Sequence, residues 1–313
     1  MLVRGLLRGL APAKGANAAT NDEEMTMSNK FKKLWDHESL NPETLIIEVG
    51  RVNDMKRAQI ARMYETVNMY GVAILQHAPR PEETVEELVD LGRLFGNTVV
   101  HDRADARGLV VVAELSGYGE FVGANSGPHL MHTGGTFMPW KDVPRIVLLQ
   151  CEKQSRIGGR SMLSSGAAAY RYLKQHEPEA LKMLMDPRVF SIKRSARGVG
   201  QFGNTGVNGK AVFDTQQLGN GNIWLTFRFD GEVKLEMYPD AAHEAYDKLL
   251  NFFNRSENQI DFKLQPNQIM ICDNTSVVHA RTAFQAGSGR KLNRLQLDGV
   301  GIKELHWGFP QPS

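Results

Sequence analysis

The chain has 313 residues, 42% of them hydrophobic and 23% charged, with 37 basic side chains against 35 acidic ones and a formal charge of +2. That near-balance argues against a nucleic-acid surface or a basic membrane patch, and no run of about 18 apolar residues is present to cross a bilayer. The length allows a sizeable core, in one large domain or two small ones.

Residues 1–20 carry Arg4, Arg8 and Lys14 with several Ala and Gly, and no acid precedes Asp22. This is the composition of a mitochondrial or plastid transit peptide, and equally of a disordered leader. Residues 1–30 are therefore set apart from a single domain over 31–313. Cys151 and Cys272 each sit in an apolar run and read as buried free thiols of an intracellular, reducing compartment.

Ile60, Met63, Tyr64 and Val67 recur at helical spacing, so 53–70 is expected to be an amphipathic helix ending at Gly71. The apolar run 71–75 reads as a buried strand. Pro81 and its following glutamates open a second helix, with Leu88, Leu91 and Phe95 on one face. Strands are expected at 109–113 and 145–151, separated by a Gly-rich stretch and a polar turn at 131–137. Helices follow at 167–176 and 178–185. The Gly- and Asn-rich segment 195–222 reads as a long loop of the kind that covers binding sites. In the strand expected at 222–230, Trp224, Thr226 and Arg228 share one face. A helix opened by Pro239 comes next, and then strands at 260–264, 268–272, 277–281 and 291–300. Short strands in number, a few helices and no dinucleotide-binding glycine pattern predict a mainly β, two-sheet jelly roll with flanking helices.

Two segments carry chemistry. One is Met131-His132-Thr133-Gly134-Gly135-Thr136-Phe137. The other runs from Asp273-Asn274 through His279 to Arg290. Imidazole suits ferrous iron, which is commonly held on one face by two histidines and a carboxylate, with the other face open. His129 is close enough in sequence to line such a site or orient a ligand. His37, His176, His243 and His306 lie in ordinary polar contexts.

These segments, with the turn Gly158-Gly159-Arg160-Ser161 between them, resemble the taurine dioxygenase-like family of Fe(II)/2-oxoglutarate-dependent oxygenases, the group that includes clavaminate synthase and gamma-butyrobetaine hydroxylase. The resemblance spans roughly residues 35–300. It implies a double-stranded β-helix forming a single catalytic domain. It implies that His132 and His279 bind iron, that Arg290 grips the distal carboxylate of the cosubstrate 2-oxoglutarate, and that Ser161 assists. A guanidinium offers a carboxylate a bidentate fork, and a hydroxyl adds a further donor. O2 would be the second cosubstrate. Arg294, four residues beyond Arg290 on the same strand face, is a candidate to bind an anionic group of a small-molecule substrate, and Arg228 with Trp224 forms a second candidate contact. No nucleic-acid or membrane partner is expected, and oligomeric state has no signal in the sequence.

One departure stands out. The family carries Asp or Glu two residues after the first histidine, and here that residue is Gly134. In some relatives a small residue at this position marks a halogenase, in which chloride takes the vacated place. Chloride and carboxylate each bring one negative charge, so the charge at the metal is conserved. The expectation is radical halogenation of an aliphatic carbon. The alternatives are a hydroxylase with weak or altered activity after loss of its aspartate, and another radical outcome such as cyclisation or desaturation.

Overall fold

The computed structural model describes residues 33–312 apart from positions 34, 36–37, 39, 80–83, 100, 118–121, 137, 139–141, 193–206, 218–222, 232–235, 238–240 and 304. The expected leader, residues 1–30, lies outside the described residues, as does Phe137 of the histidine motif.

In chain order the elements are β1 (Ile46–Glu48), α1 (Arg57–Tyr70), β2 (Val72–Gln76), α2 (Thr84–Phe95), β3 (Val110–Ala113), β4 (His129–His132), β5 (Ile146–Lys153), β6 (Ser161–Ser165), α3 (Gly166–His176), α4 (Pro178–Leu184), β7 (Phe190–Ile192), β8 (Val207–Lys210), β9 (Phe213–Gln217), β10 (Ile223–Phe227), β11 (Glu236–Met237), α5 (Ala241–Asn254), β12 (Ile260–Phe262), β13 (Gln268–Asp273), β14 (Val277–Arg281), β15 (Lys291–Leu297) and β16 (Phe309–Pro310). Two sheets frame the molecule: a six-stranded one ordered β1-β2-β13-β5-β15-β3 and a four-stranded one ordered β12-β6-β14-β4. Apart from the parallel β1–β2 pair, the neighbours within both sheets are antiparallel. This is the expected jelly roll with flanking helices.

The period-two alternation of the strands assigns every layer. From β15, Leu295 and Leu297 join Ile146, Leu148, Ile269 and Ile271 in a core packed on Met63, Leu88, Leu91 and Phe95 of α1 and α2. On the four-stranded sheet, Val278 and Ala280 turn outward to α3, α4 and α5, meeting Leu173, Leu249 and Phe253. A third cluster includes Val72, Met270, Cys272, Leu163, Val277 and Leu292 from strands of both sheets, and so lies between them. Burying each such Leu, Ile or Val contributes roughly 1.5–3 kcal/mol. Hence His279 and Arg281 share the inward face with Val277, and Arg294 and Gln296 share it with Leu292. The same alternation that builds the core leaves a polar interior further along the same strands.

Local differences from the sequence reading have identifiable causes. The helix expected from residue 53 begins at Arg57, because Val52–Asp54 forms a separate 3-10 turn and the Gln59 side chain accepts from the Lys56 N–H at 2.9 Å. Gly71 ends α1 at φ +74°, where a Cβ would stand 2.6 Å from Val277 Cγ2. Of the long loop expected over 195–222, residues 195–206 and 218–222 lie outside the described residues; within the rest the expectation is corrected, since Val207–Lys210 and Phe213–Gln217 are strands, the second pairing with β10. Val212 and Phe213 are buried there, so the glycines masked a segment with its own apolar anchor. His132 does not sit in a polar turn but ends β4, and His279 lies inside β14 as expected.

Candidate active site

β14 and β4 pair with His279 opposite His132, which puts both imidazoles on one face of the sheet. Their ring centroids are 4.3 Å apart and tilted by 51°. The two rings are close enough for both to reach one metal ion. His132 Nδ1 lies 2.8 Å from the Leu130 carbonyl. A carbonyl only accepts, so that nitrogen carries the proton and Nε2 presents the lone pair. Among the described residues His279 Nδ1 is buried with no hydrogen-bond partner, a group left for a ligand to satisfy.

His129 was noted in the sequence as a neighbour, and the structure shows how it arrives. Residues three apart on a regular strand face opposite ways. The β14–β4 register shifts between His279 and Arg281, so His129 pairs with Arg281 while His132 pairs with His279. This bulge turns His129 back onto the site face, where it stacks on His132 with centroids 3.7 Å apart. Burial pushes all three imidazoles below their ordinary pKa and the guanidinium of Arg294 adds to it; repulsion from His132 adds at His129 and His279, while Asp230 opposes the shift at His132. Neutral imidazole is the form that binds a metal. Among the described residues no three His, Cys, Asp or Glu side chains are grouped to hold a metal ion.

The turn after His132 is fastened from the far side of the barrel. Asn274 Oδ1 accepts the Gly134 N–H at 2.6 Å, while Asn274 Nδ2 donates to the carbonyls of Gly134 and Pro144 at 2.8 and 2.7 Å. Asp273 in turn accepts from the Thr275 N–H and hydroxyl, from the Ser276 hydroxyl and from the ammonium of buried Lys33. Gly134 itself has no left-handed φ, so backbone strain does not require glycine there. A Cβ at this position would lie 3.0 Å from Gln296 Nε2 and 3.5 Å from Asn274 Oδ1.

The Gly158–Gly159 turn shapes the arginine pocket. Gly159 has φ +69°, and a Cβ there would stand 2.7 Å from Arg290 Nε. Glycine thus lets the guanidinium lie against the backbone. Arg290 is buried over the Phe284 ring at 5.1 Å, and its Nη1 has no partner among the described residues. Burial, with Arg281 adding, lowers Arg290 to about 10, so it stays charged at neutral pH. Ser161 is buried on β6 opposite Arg281, two rungs from the Leu163–His279 pair. Arg294, lowered to about 10 by burial and Arg103, keeps an Nε with no partner among the described residues. Buried cationic nitrogens without partners suit anionic ligands such as 2-oxoglutarate.

Arg228 and Trp224 make contacts elsewhere. Arg228 Nη1 donates to the carbonyls of Thr136 and Met138 at 3.1 and 3.3 Å, tying down the loop after His132. Trp224 stacks on His306 at 5.4 Å. Gln296 and Asp230 were missed in the sequence. Gln296 is two residues beyond Arg294, and strand alternation alone places it on the same face. Asp230 forms a bridge with His132 and accepts from the Thr136 hydroxyl at 3.1 Å, a pairing that no local pattern announces.

A jelly roll with two facing imidazoles and buried arginines between its sheets has the features of an Fe(II)/2-oxoglutarate-dependent oxidoreductase. Residues 33–296 match the taurine catabolism dioxygenase TauD, TfdA family, and the chain belongs to that family. FR-33289 synthase of Streptomyces rubellomurinus is 26% identical over 243 residues, 73% of this chain and 69% of that one. Uridine-5'-phosphate dioxygenase of Streptomyces sp is 27% identical over 255 residues, 75% of this chain and 86% of that one. The structure of the non-heme iron oxygenase OrfP with Fe, succinate and (3S)-hydroxy-L-Arg superposes with a TM-score of 0.59 at 14% identity, covering 79% of this chain and 82% of that one, a likeness of fold. No helix among the described residues is long and apolar enough to cross a membrane.

Proposed function

We propose that the protein activates an aliphatic C–H bond of a small, polar, anionic molecule and delivers a halogen to the carbon, with chloride held where Gly134 leaves a gap. The observation that carries this is the absent side chain at 134 beside the paired imidazoles of His132 and His279 and the buried Arg290. His132 and His279 hold the iron, and Arg290 with Ser161 holds the distal carboxylate of 2-oxoglutarate. Iron, 2-oxoglutarate and O2 supply, when bound, the oxidising power for C–H cleavage. The protein's share is positional. The β14–β4 pair sets the angle between the imidazoles, Asn274 fixes the turn at 134, and burial keeps both rings neutral. Arg294 receives the anionic group of the substrate from the inner face of β15. The names of the relatives, a uridine-5'-phosphate dioxygenase among them, support a small charged substrate.

A second reading, a hydroxylase weakened by loss of its aspartate, is favoured by the ordinary φ of Gly134, which would admit an aspartate. One experiment separates the two. The protein is supplied with Fe(II), 2-oxoglutarate and O2 and with candidate amino acids and nucleotides, with or without chloride or bromide, and the products are weighed. A halide-dependent gain of halogen mass supports the first reading. Oxygen insertion indifferent to halide establishes the second. Gly134→Asp is expected to abolish halogenation under the first and to raise hydroxylation under the second.

A further inference from the structure

We infer that Gln296 is the hydrogen-bond donor to the anion held at the gap left by Gly134, an inference that rests on the halide reading. An anion beside a metal needs donors as well as charge, because burial strips its hydration. The Gly134 N–H is committed to Asn274 Oδ1 at 2.6 Å. The Asn274 amide is spent on the carbonyls of Gly134 and Pro144. Gln296 is the nearest side chain to the gap. Gln296 is buried, at 8% exposure. Its Nε2 lies 3.0 Å from where the Cβ of a residue at 134 would stand. The amide thus borders the space a family carboxylate would enter. Val147, its cross-strand partner, lines the same space with Cγ2 at 3.7 Å. Arg294, two residues earlier on the same face, adds positive charge without filling the gap.

Gly134 and Gln296 then form one device: the first vacates an anionic position and the second solvates what enters it. The test is a binding measurement. The full chain, loaded anaerobically with Fe(II) and 2-oxoglutarate, is titrated with chloride at constant ionic strength while the visible charge-transfer absorption is followed. Wild type, Gln296→Leu and Gln296→Glu are compared. Wild type is expected to show a saturable spectral shift. Gln296→Leu should raise the apparent chloride dissociation constant roughly tenfold or more, the scale of one hydrogen bond to a charged group. Gln296→Glu has the shape of glutamine but presents a negative oxygen, so it should lose the chloride response while keeping the absorption band. It carries the test if the leucine variant fails to fold. Equal chloride constants in all three proteins would overturn the role of Gln296 and leave the halide reading standing. A wild-type band indifferent to chloride and bromide would remove the halide reading and this inference together.

Discussion

Asn274 is the residue whose loss should cost most for its size. It is buried at 1% exposure and makes hydrogen bonds to Gly134 N, Gly134 O and Pro144 O. Asn274→Ala strands all three backbone groups in a dry interior. At about 1 kcal/mol for each lost bond, the penalty is about 3 kcal/mol, rising toward about 5 where no water reaches the orphaned groups. For a domain of this size that lowers Tm by roughly 6–10 °C. The turn carrying residue 134 would also lose its anchor, so affinity for Fe(II) or its surrogate Co(II) should fall about tenfold. Asn274→Asp is the sharper control. It keeps the acceptor for the Gly134 N–H but sets a carboxylate oxygen against two carbonyls, and it should be at least as damaging as alanine. Calorimetric melting and Co(II) titration read the two effects. An alanine variant with wild-type Tm and Co(II) affinity would refute the claim that this side chain holds the turn.

Gly159→Ala should weaken 2-oxoglutarate binding by more than tenfold at nearly unchanged metal affinity, because its Cβ would meet Arg290 Nε at 2.7 Å in a left-handed turn; isothermal titration checks it. Arg290→Lys keeps the charge but loses the fork, and should likewise raise the 2-oxoglutarate dissociation constant about tenfold or more. Lys33→Met removes one partner of a buried ion pair. Its cost should fall near the low end of about 3–5 kcal/mol, since Asp273 keeps donors from Thr275 and Ser276; urea unfolding measures it. His132 and His279 titrate lower in the folded chain than in the unfolded one, so the unfolded state binds more protons below about pH 6.5. Metal-free protein should therefore lose stability as pH falls below that point, by up to about 1.4 kcal/mol per pH unit for each ring. A flat profile between pH 7 and 5 would show the rings are not held neutral.

The sequence by itself determined the class of fold and the chemical parts. Short apolar runs marked the strands Val277–Arg281 and Lys291–Leu297, the second carrying Arg294, and the resemblance of short motifs to a known family singled out His132, His279, Arg290 and Gly134. Those signals are local or rest on short motifs, and they survive without coordinates. Tertiary structure alone decided what faces what. A register shift brought His129 onto His132, an isolated bridge set Asp230 beside it, and the opposite sheet placed Gln296 at the empty side of residue 134. Arg228 reads as a pocket arginine from its strand face, yet its fork is turned to the carbonyls of Thr136 and Met138. Pairing between strands more than a hundred residues apart depends on the summed burial of both sheets, which no window of sequence contains. The gap at 134 is legible as one letter, but what borders it is a property of the closed barrel.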